Sequence, residues 1–477
     1  MSKPRKYPAA GRMSKPGKYP AAGQSLSAKD AFIFFFPTVQ NYKTMYFMSV
    51  QAGGQYKAPF NTFKHETELI DPSFVTIVTP NTDTLYSHAW LDLCAEPLVL
   101  SVPKVTNQDG ETPRYYSFQF IDAYTYNFQI IGSRTTGNDP RQFLITGPNW
   151  NGKLPTDMPV LQAKTQHVYI LGRTRVYNES DATWGSENIQ PHYTLTGYTS
   201  NEMSPAPTNL PTFLPLDADN QDDDGTLKIF KKPEVFVFVN FLLQYMDMYD
   251  GDASKFQEFA AMQIAPGVNF SPNLGDPSLY EDMQTSITQG MEEIELKSAS
   301  GNMTNGWSES VSPPSFGTYS DLGGRDLDRA VAAYIGLYGL SPAEAYYLLC
   351  SRDLENNVLN TAGGAKYTLT FPPNEPGNQI NPLGFWSVSM YQQPEKTFVA
   401  NPIDRYKIDD TTENLHYNNG SLTIYIQSDE PIVMEEHQNW LPAPKDKEFY
   451  LVLRLYVPIS VDPPYYPPGL QKVSGAK

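Results

Sequence analysis

Residues 98–177 alternate between short apolar segments and turn residues, and this pattern constrains the fold more than any other feature. Five segments have the length and alternation of β-strands: residues 98–102, 114–121, 127–131, 142–146 and 167–177. Glycine and proline separate them, at Gly110, Gly137, Gly147 and Pro148. Such punctuation is typical of an antiparallel sheet. In the second segment, aromatic or aliphatic residues fall on both faces, so this strand should be buried on both sides or line a cleft.

The composition also indicates a mainly β fold. Aromatic residues make up 13% of the chain and proline numbers 41, a combination that favours strands, turns and sheet edges. The chain is 40% hydrophobic and only 18% charged, which excludes a disordered protein. At 477 residues it has room for two or three domains, each with its own core.

Helical periodicity separates two strand-rich regions. Residues 28–50 fit one or two helices broken by Pro37, and the Pro-rich segment 203–215 leads into an acidic loop. Apolar residues then recur at helical spacing in 234–262, 277–297 and 325–350. Strand-like segments return at 365–371, 385–391, 421–427 and 449–457.

This order predicts a mainly β protein with a helical connector. We expect an N-terminal β-rich domain at 28–202, a linker and helical connector at 203–350, and a C-terminal β-sandwich domain at 351–470.

The first residues differ from the rest of the chain. The sequence MSKPRKYPAAGR at 1–12 is nearly repeated at 13–24, with six basic residues and no acidic ones in a chain of net charge −17. We predict a disordered basic arm over residues 1–27. It would dock to an anionic surface or an acidic partner, whereas the acidic body argues against sequence-specific nucleic-acid binding. A recent duplication with Met13 as an alternative start is the competing interpretation.

Motifs for known cofactors and nucleophiles are absent. The sequence contains no phosphate-binding loop, dinucleotide fingerprint or Gly-x-Ser-x-Gly elbow, and we predict no cofactor. The six histidines are scattered, none beside a cysteine, which does not predict a zinc site. Cys94 and Cys350 are expected to be buried thiols without a disulfide. No apolar run is long enough for a membrane span or a signal peptide, so a cytoplasmic or particle-associated location is favoured over secretion.

One acidic loop partly matches a calcium-binding loop. Asn220, Asp222 and Asp224 fall at positions 1, 3 and 5 of that pattern, and Gly225 at position 6. Position 12 is Lys231 instead of the bidentate glutamate. A solvated acidic loop is therefore favoured over a calcium site.

Ordered blocks along the body resemble a known pair of domains. The N-terminal blocks are residues 61–65, 79–86, 114–116, 122–125 and 132–137, and the C-terminal blocks are 385–391, 401–406, 420–425, 439–444 and 454–456. Over roughly residues 30–470 the chain resembles proteins that pair the domain of unknown function 1254 with a C-terminal domain of unknown function 1214. The resemblance implies two β-sandwich or jelly-roll-like domains joined by helices, with no assigned activity.

The resemblance also bears on biological setting. Similar proteins occur in bacteria, often with a secretion signal, and in some eukaryotes and large algal viruses. The duplicated basic arm stands here in place of such a signal, which makes a virion-associated role one of the expectations.

Polar residues of the N-terminal region are candidates for a site. They are Asn81, Asp83, Tyr86, Arg114, Asp122 and Arg134. On adjacent strands they would converge in one cleft, with Asp83 or Asp122 as acid or base and Arg114 or Arg134 holding an anionic group. In the structural alternative, Asp83 caps a turn and Arg–Asp pairs brace strand ends.

A second set of candidates lies near the C-terminus. Its members are Trp386, Tyr391, Arg405, Tyr406, Trp440 and Arg454. Their rings and guanidinium groups suit sugars or other flat polar ligands, and core packing is the alternative. We therefore predict a non-catalytic binding or structural protein that holds a glycan or protein ligand in a sandwich cleft. An enzyme acting on a polar substrate such as a carbohydrate is the second hypothesis.

Overall fold

The fold is described from a computed structural model. The structure describes residues 27–72, 79–207, 210–271, 277–301, 303–309, 316–460 and 465–473. The predicted basic arm lies outside the described residues except for Ser27, which caps the first helix.

The N-terminal region forms two sheets. Its strands are β1 (Lys64–His65), β2 (Thr84–Asp92), β3 (Leu98–Val102), β4 (Tyr116–Ile121), β5 (Asn127–Gly132), β6 (Arg141–Thr146), β7 (Val160–Gln162), β8 (His167–Arg175) and β9 (Thr194–Gly197). One sheet has the strand order β1-β2-β8-β4-β5, and the other has the order β7-β6-β3-β9. The β6–β7 pair is parallel, and the other pairs named in these orders are antiparallel.

Strand alternation gives the first sheet two different faces. Ala89 and Leu91 of β2 point to a core that they share with Leu100 of β3 and Ile145 of β6, so the two sheets pack against each other. The opposite face of β2 carries Tyr86, His88 and Trp90. Trp90 belongs to a second core built largely from helices. The strand over 115–121 is thus buried on both sides, as its sequence predicted.

Helix α1 (Ala28–Met45) lies at the centre of that second core. Ser27 and Asp30 form a capping box at its start. The prediction that Pro37 breaks this helix is wrong, because α1 continues through Pro37. Proline removes one backbone hydrogen bond, but most of α1 is buried, and packing on all sides outweighs that loss.

Further helices follow along the chain. They are α2 (Glu179–Asn188), α3 (Val235–Leu242), α4 (Ala253–Ala261), α5 (Pro277–Ser298), α6 (Tyr319–Leu322), α7 (Asp326–Gly336) and α8 (Met434–Gln438). Helices α3, α5 and α7 pack on α1. In the part of the chain that the structure describes, none of these helices combines the length and apolarity that crossing a membrane requires.

The C-terminal region forms two further sheets. Its strands are β10 (Met303–Thr304), β11 (Trp307–Glu309), β12 (Ala345–Cys350), β13 (Lys366–Phe371), β14 (Ile380–Gln392), β15 (Lys407–Asp409), β16 (Tyr417–Asn418), β17 (Ser421–Gln427), β18 (Trp440–Pro442), β19 (Phe449–Pro458) and β20 (Gln471–Val473). The larger sheet has the order β10-β11-β12-β19-β14-β15. The smaller sheet has the order β16-β17-β13-β20, with β18 beside β17.

Strand β12 corrects the prediction of a helix over 325–350. Helix α7 ends at Gly336, and Ala345–Cys350 pairs with β19 along its whole length. Tyr346, Leu348 and Cys350 point to one core, which is the two-residue period of a strand.

Both C-terminal sheets contribute to a common core. Trp386, Val388 and Met390 of β14 lie there with Leu369 of β13 and Ile424 of β17. The fold is therefore mainly β, with an N-terminal and a C-terminal pair of sheets, and α3 to α7 lie between β9 and β12 in sequence. The alternate residues of β14 face away from this core, and they build the site described next.

Candidate functional site

The outer face of the large C-terminal sheet carries a row of polar residues. Tyr347 of β12 lies opposite Arg454 of β19, and Arg454 lies opposite Ser387 of β14. Tyr456 is two residues beyond Arg454 and so shares its face. These side chains project towards residues 80–86 of the N-terminal region.

Asp83 connects the two regions at this face. Its carboxylate accepts hydrogen bonds from Ser387 Oγ at 2.7 Å and from Lys407 Nζ at 2.9 Å. Lys407 also contacts Asp409 at 2.7 Å. Burial lowers the pKa of Lys407, but Asp83 and Asp409 outweigh burial and raise that pKa to about 12. Lys407 therefore stays charged, and Asp83 forms a buried interdomain ion pair.

Asn81 extends the same contact. Its side-chain amide donates to Tyr86 OH at 3.2 Å and to Tyr456 OH at 3.0 Å, and its Oδ1 accepts from the Asp83 backbone N–H at 2.9 Å. Arg454 donates to Ser389 Oγ at 3.0 Å and to Tyr391 OH at 2.9 Å. Five candidates from the two predicted sets thus meet across one interface: Asn81, Asp83, Tyr86, Tyr391 and Arg454.

Arg173 of β8 completes the arrangement. Its guanidinium donates to Gln119 Oε1 at 2.8 Å and to the Tyr338 carbonyl at 3.2 Å, and it lies over the Tyr86 ring at 5.5 Å. Among the described residues, Arg173 has no carboxylate within 4.0 Å, whereas Arg134 and Arg175 pair with one each. We call the group formed by Asp83, Tyr86, Arg173, Tyr347, Arg454 and Tyr456 the junction site.

The junction site is deep but retains accessible surface. Arg173 is 6% exposed, while Tyr86 and Tyr347 are half-buried. Lys407 at its edge keeps 18% of its side-chain surface. The Arg173 guanidinium is enclosed by the N-terminal sheet, the C-terminal sheet and the turn after α7. This turn supplies the Tyr338 carbonyl, and tyrosine rings lie beside the guanidinium. Such surroundings suit a small anionic ligand.

The other N-terminal candidates lie elsewhere. Arg114 is fully buried, where it forms two hydrogen bonds to Asp181 at 2.6 and 2.8 Å and lies between the rings of Tyr177 and Trp184. Arg114 and Asp181 border an open surface depression of about 350 Å³. Arg134 pairs with Glu344 at 2.6 Å, and Glu344 also accepts from Tyr115 OH. Both arginines brace the fold.

Asp122 is far from Asp83. Asp83 lies beside Val176, just after the end of β8, because its carbonyl accepts from Val176 N–H. Asp122 lies near Tyr169, because it follows Ile121, which pairs with Tyr169. Val176 and Tyr169 are seven residues apart along this strand, which corresponds to roughly 23 Å. Asp122 accepts from Tyr249 OH at 2.6 Å, and burial raises its pKa to about 6 despite that bond. The two candidate carboxylates therefore do not share a cleft.

The C-terminal candidates other than Arg454 make contacts that stabilise the fold. Trp386 packs in the core against Phe371, and Trp440 donates from its indole N–H to the Gln427 carbonyl. Arg405 donates to the carbonyls of Gln438 and Trp440 at 2.9 and 3.0 Å. Tyr391 is buried between other rings, and Tyr406 is half-buried and donates to Asp404. Neither tryptophan offers an exposed stacking face.

The calcium-like loop holds its own cation. Lys231 Nζ lies 2.8 Å from Asp222 and 2.6 Å from Asp224. Asn220 contacts the rest of the loop through its backbone carbonyl, which accepts a hydrogen bond from Lys228 N–H. The residue that departs from the calcium pattern thus supplies the positive charge that the two carboxylates require.

Some junction residues were not among the candidates. Arg173, Tyr347 and Lys407 were missed, as was Tyr456. For Tyr456 a signal existed, because residues two apart on a strand share a face and Arg454 was already a candidate. For Arg173, Tyr347 and Lys407 no sequence signal links them to Asp83.

Comparison with protein families identifies the class. Residues 60–197 match the family described as "Protein of unknown function (DUF1254)", and residues 344–460 match "Protein of unknown function (DUF1214)". The chain belongs to the proteins that pair these two domains in this order, which confirms the resemblance found in the sequence. Strands β2 and β8 lie in the first match, and β12, β14 and β19 lie in the second. The junction site is therefore formed between the two family domains.

A solved structure shares this fold. The VPA0106 protein from Vibrio parahaemolyticus superposes with a TM-score of 0.71 at 23% identity, covering 94% of this chain and 99% of that chain. A putative uncharacterized protein from Burkholderia cenocepacia has 11% identity and a TM-score of 0.43, over 93% of this chain and 89% of that chain. The first likeness shows a common fold and the second supports no argument. No curated protein matches the chain significantly.

Proposed function

We propose that this chain is a non-catalytic binding protein, built from two β-sandwich or jelly-roll-like domains, that holds a small anionic glycan component such as a sugar acid at the junction site. The observation that carries this proposal is the environment of Arg173. Its buried guanidinium has neutral partners and no carboxylate within 4.0 Å in the described part of the chain. A buried cation is costly unless an anion compensates it.

The chemistry of the neighbouring groups supports this class of ligand. A guanidinium binds a carboxylate through two parallel hydrogen bonds, which gives geometric specificity as well as affinity. The Tyr86 and Tyr347 rings beside it combine an apolar face with a polar hydroxyl, which suits the mixed surface of a sugar. Both rings are half-buried, so part of each side chain stays accessible.

The contacts of the two candidate carboxylates favour binding over catalysis. Asp83 is engaged with Lys407 and Ser387, and Asp122 lies at the far end of β8. A glycosidase of the common type needs two carboxyl groups within about 10 Å of each other. The separation of roughly 23 Å along β8 exceeds that requirement.

Ligand-induced stabilisation tests the proposal. Purified protein would be melted with matched neutral and acidic sugars, glucose against glucuronate and galactose against galacturonate, with acetate as the simple carboxylate. A ligand that binds only the folded state raises the melting temperature. We expect an increase of a few degrees with one sugar acid and none with its neutral counterpart or with acetate.

Variants localise the effect. Arg173→Gln should abolish the increase, and Tyr347→Phe, which removes one hydroxyl, should weaken it. The matched control is Arg141→Gln, an exposed arginine on β6, which should respond like the wild type. The proposal fails if no sugar acid raises the melting temperature, or if Arg173→Gln responds as strongly as the control.

A further inference from the structure

A second polar cluster lies at the opposite end of β2 and β8. Asp92, the last residue of β2, is the register partner of His167, the first residue of β8. Cys94 follows two residues after Asp92. One carboxylate oxygen, the thiol sulfur and one imidazole nitrogen lie within 4.8 Å of one another. Three different metal-binding side chains therefore converge on one point.

Two atoms in this cluster lack hydrogen-bond partners among the residues that the structure describes. They are Asp92 Oδ2 and His167 Nε2, and both are buried. Asp92 is 1% exposed and His167 is 4% exposed. Asp92 Oδ1 accepts from Cys94 N–H at 3.0 Å and lies 4.0 Å from His167 Nε2. A buried carboxylate oxygen without a partner is costly, and native structures rarely contain one without a reason.

Aromatic rings surround the histidine of this cluster. The imidazole of His167 is enclosed by the rings of Phe60, Phe213 and Tyr245, with centroid distances of 5.8, 5.7 and 5.3 Å. An aromatic wall beside a carboxylate and an imidazole is a suitable environment for a bound cation.

We propose that Asp92, Cys94 and His167 form a binding site for a zinc-type divalent cation, with water as the fourth ligand. Thiolate, imidazole and carboxylate are the ligands that Zn²⁺ takes in proteins, and three protein ligands leave one position open. Tetrahedral coordination places ligand atoms roughly 3.3–3.8 Å apart. Asp92 Oδ1 and His167 Nε2 are 4.0 Å apart, and all three ligand atoms lie within 4.8 Å of one another, so coordination requires a contraction of up to about 1 Å.

A cation has access to this site, and its charge is balanced when it binds. Cys94 is half-buried, so the cation reaches the cluster from its side. On coordination the Cys94 thiol releases one proton to solvent, and the thiolate and Asp92 neutralise the charge of the cation. The site lies nine residues along β2 from Asp83, roughly 30 Å away, and does not depend on the proposed ligand of the junction site.

Cobalt titration of the full chain tests this assignment. Reduced protein is freed of metal with a chelator and titrated with Co²⁺, followed by displacement with Zn²⁺. We expect one equivalent to bind, with the near-ultraviolet thiolate-to-cobalt absorption band that reports a sulfur ligand. Cys94→Ser should remove that band and weaken Zn²⁺ binding by more than the roughly 10–100-fold that an outer-shell change costs. His167→Gln should weaken binding to a similar extent.

Cys350→Ser is the matched control, because Cys350 is buried in the C-terminal core. It should keep the band and the affinity of the wild type. Cys94→Ser is the decisive variant, since a half-buried serine replaces the thiol without disturbing the core. The assignment is overturned if wild-type protein binds no stoichiometric Co²⁺, if the band persists in Cys94→Ser, or if Cys350→Ser removes it.

Discussion

Two buried arginines on the same N-terminal sheet system have opposite environments. Arg114 has a bidentate carboxylate partner and contacts two aromatic rings, so its positive charge is compensated within the fold. Arg173 is almost as buried but contacts an amide oxygen, a carbonyl and one ring face. The first belongs to a structural ion pair, and the second is a positive charge with no carboxylate within 4.0 Å among the residues that the structure describes. Burial alone therefore does not distinguish structural from binding arginines. The charge of the hydrogen-bond partner distinguishes them.

The largest expected effect is the loss of Arg114. Arg114→Ala leaves Asp181 as a buried, unpaired carboxylate and should lower the free energy of unfolding by about 3–5 kcal/mol. Chemical denaturation measures this change. The exposed Arg141→Ala should cost less than about 0.5 kcal/mol. Equal losses for both variants would show that the Arg114–Asp181 pair contributes nothing specific.

The second effect concerns pH and Asp122. Its folded pKa of about 6 lies above its ordinary value of 3.8, so the folded state binds the proton more tightly than the unfolded state. The contribution of Asp122 to stability should therefore fall by about 2–3 kcal/mol as pH rises from 4 to 7. Asp122→Asn should remove that fall in denaturation curves across this range, and the exposed Asp157→Asn should keep it. An unchanged slope in Asp122→Asn would contradict the assignment.

Asp83 should have a smaller effect. Asp83→Asn removes the charge that faces Lys407, but Lys407 keeps Asp409 at 2.7 Å. We expect a loss of about 1–2 kcal/mol in the free energy of unfolding. Ser387→Ala, which removes one hydrogen bond to the same carboxylate, should cost about 1 kcal/mol or less. If Asp83→Asn is neutral, the interdomain ion pair does not stabilise the junction.

The smallest effect on stability should come from Arg173. Arg173→Gln removes a buried charge that has no carboxylate within 4.0 Å among the described residues. The free energy of unfolding without ligand should therefore change by less than about 1 kcal/mol in either direction. The comparison with Arg114→Ala in the same denaturation series is the sharpest test of the difference between the two arginines. A loss of several kcal/mol would place Arg173 among the structural arginines and remove the main support for the proposed ligand.

Much of the local structure could be predicted from the sequence. The strands within 98–177 and the helices at 234–262 and 277–297 follow from periodicities of two and 3.6 residues. Two local predictions were wrong because tertiary packing outweighed the local signal. Pro37 did not end α1, since that helix is buried, and the segment at 345–350 became a strand, since β19 was available to pair with it.

The sites could be predicted only in part. Asn81, Asp83 and Tyr86 were candidates because polar residues crowd one short stretch, and Arg454 because of its aromatic neighbours. The sequence could not predict that residues of the two regions come into contact, because contacting residues such as Asp83 and Lys407 are 324 positions apart in the chain. Likewise, histidine spacing gave no sign of the cluster at Asp92, which depends on the register between β2 and β8.

The sequence by itself determined the mainly β class, the faces of the strands and the family to which the chain belongs, because these depend on residues that are neighbours in the chain. Only the tertiary structure decided which charges were paired. Strand register placed His167 opposite Asp92, and the packing of two domains placed Lys407 against Asp83. In the described part of the chain the same packing left Arg173 with no carboxylate within 4.0 Å. Electrostatic pairing depends on distances of a few ångströms between remote residues, and those distances exist only after the sheets have packed.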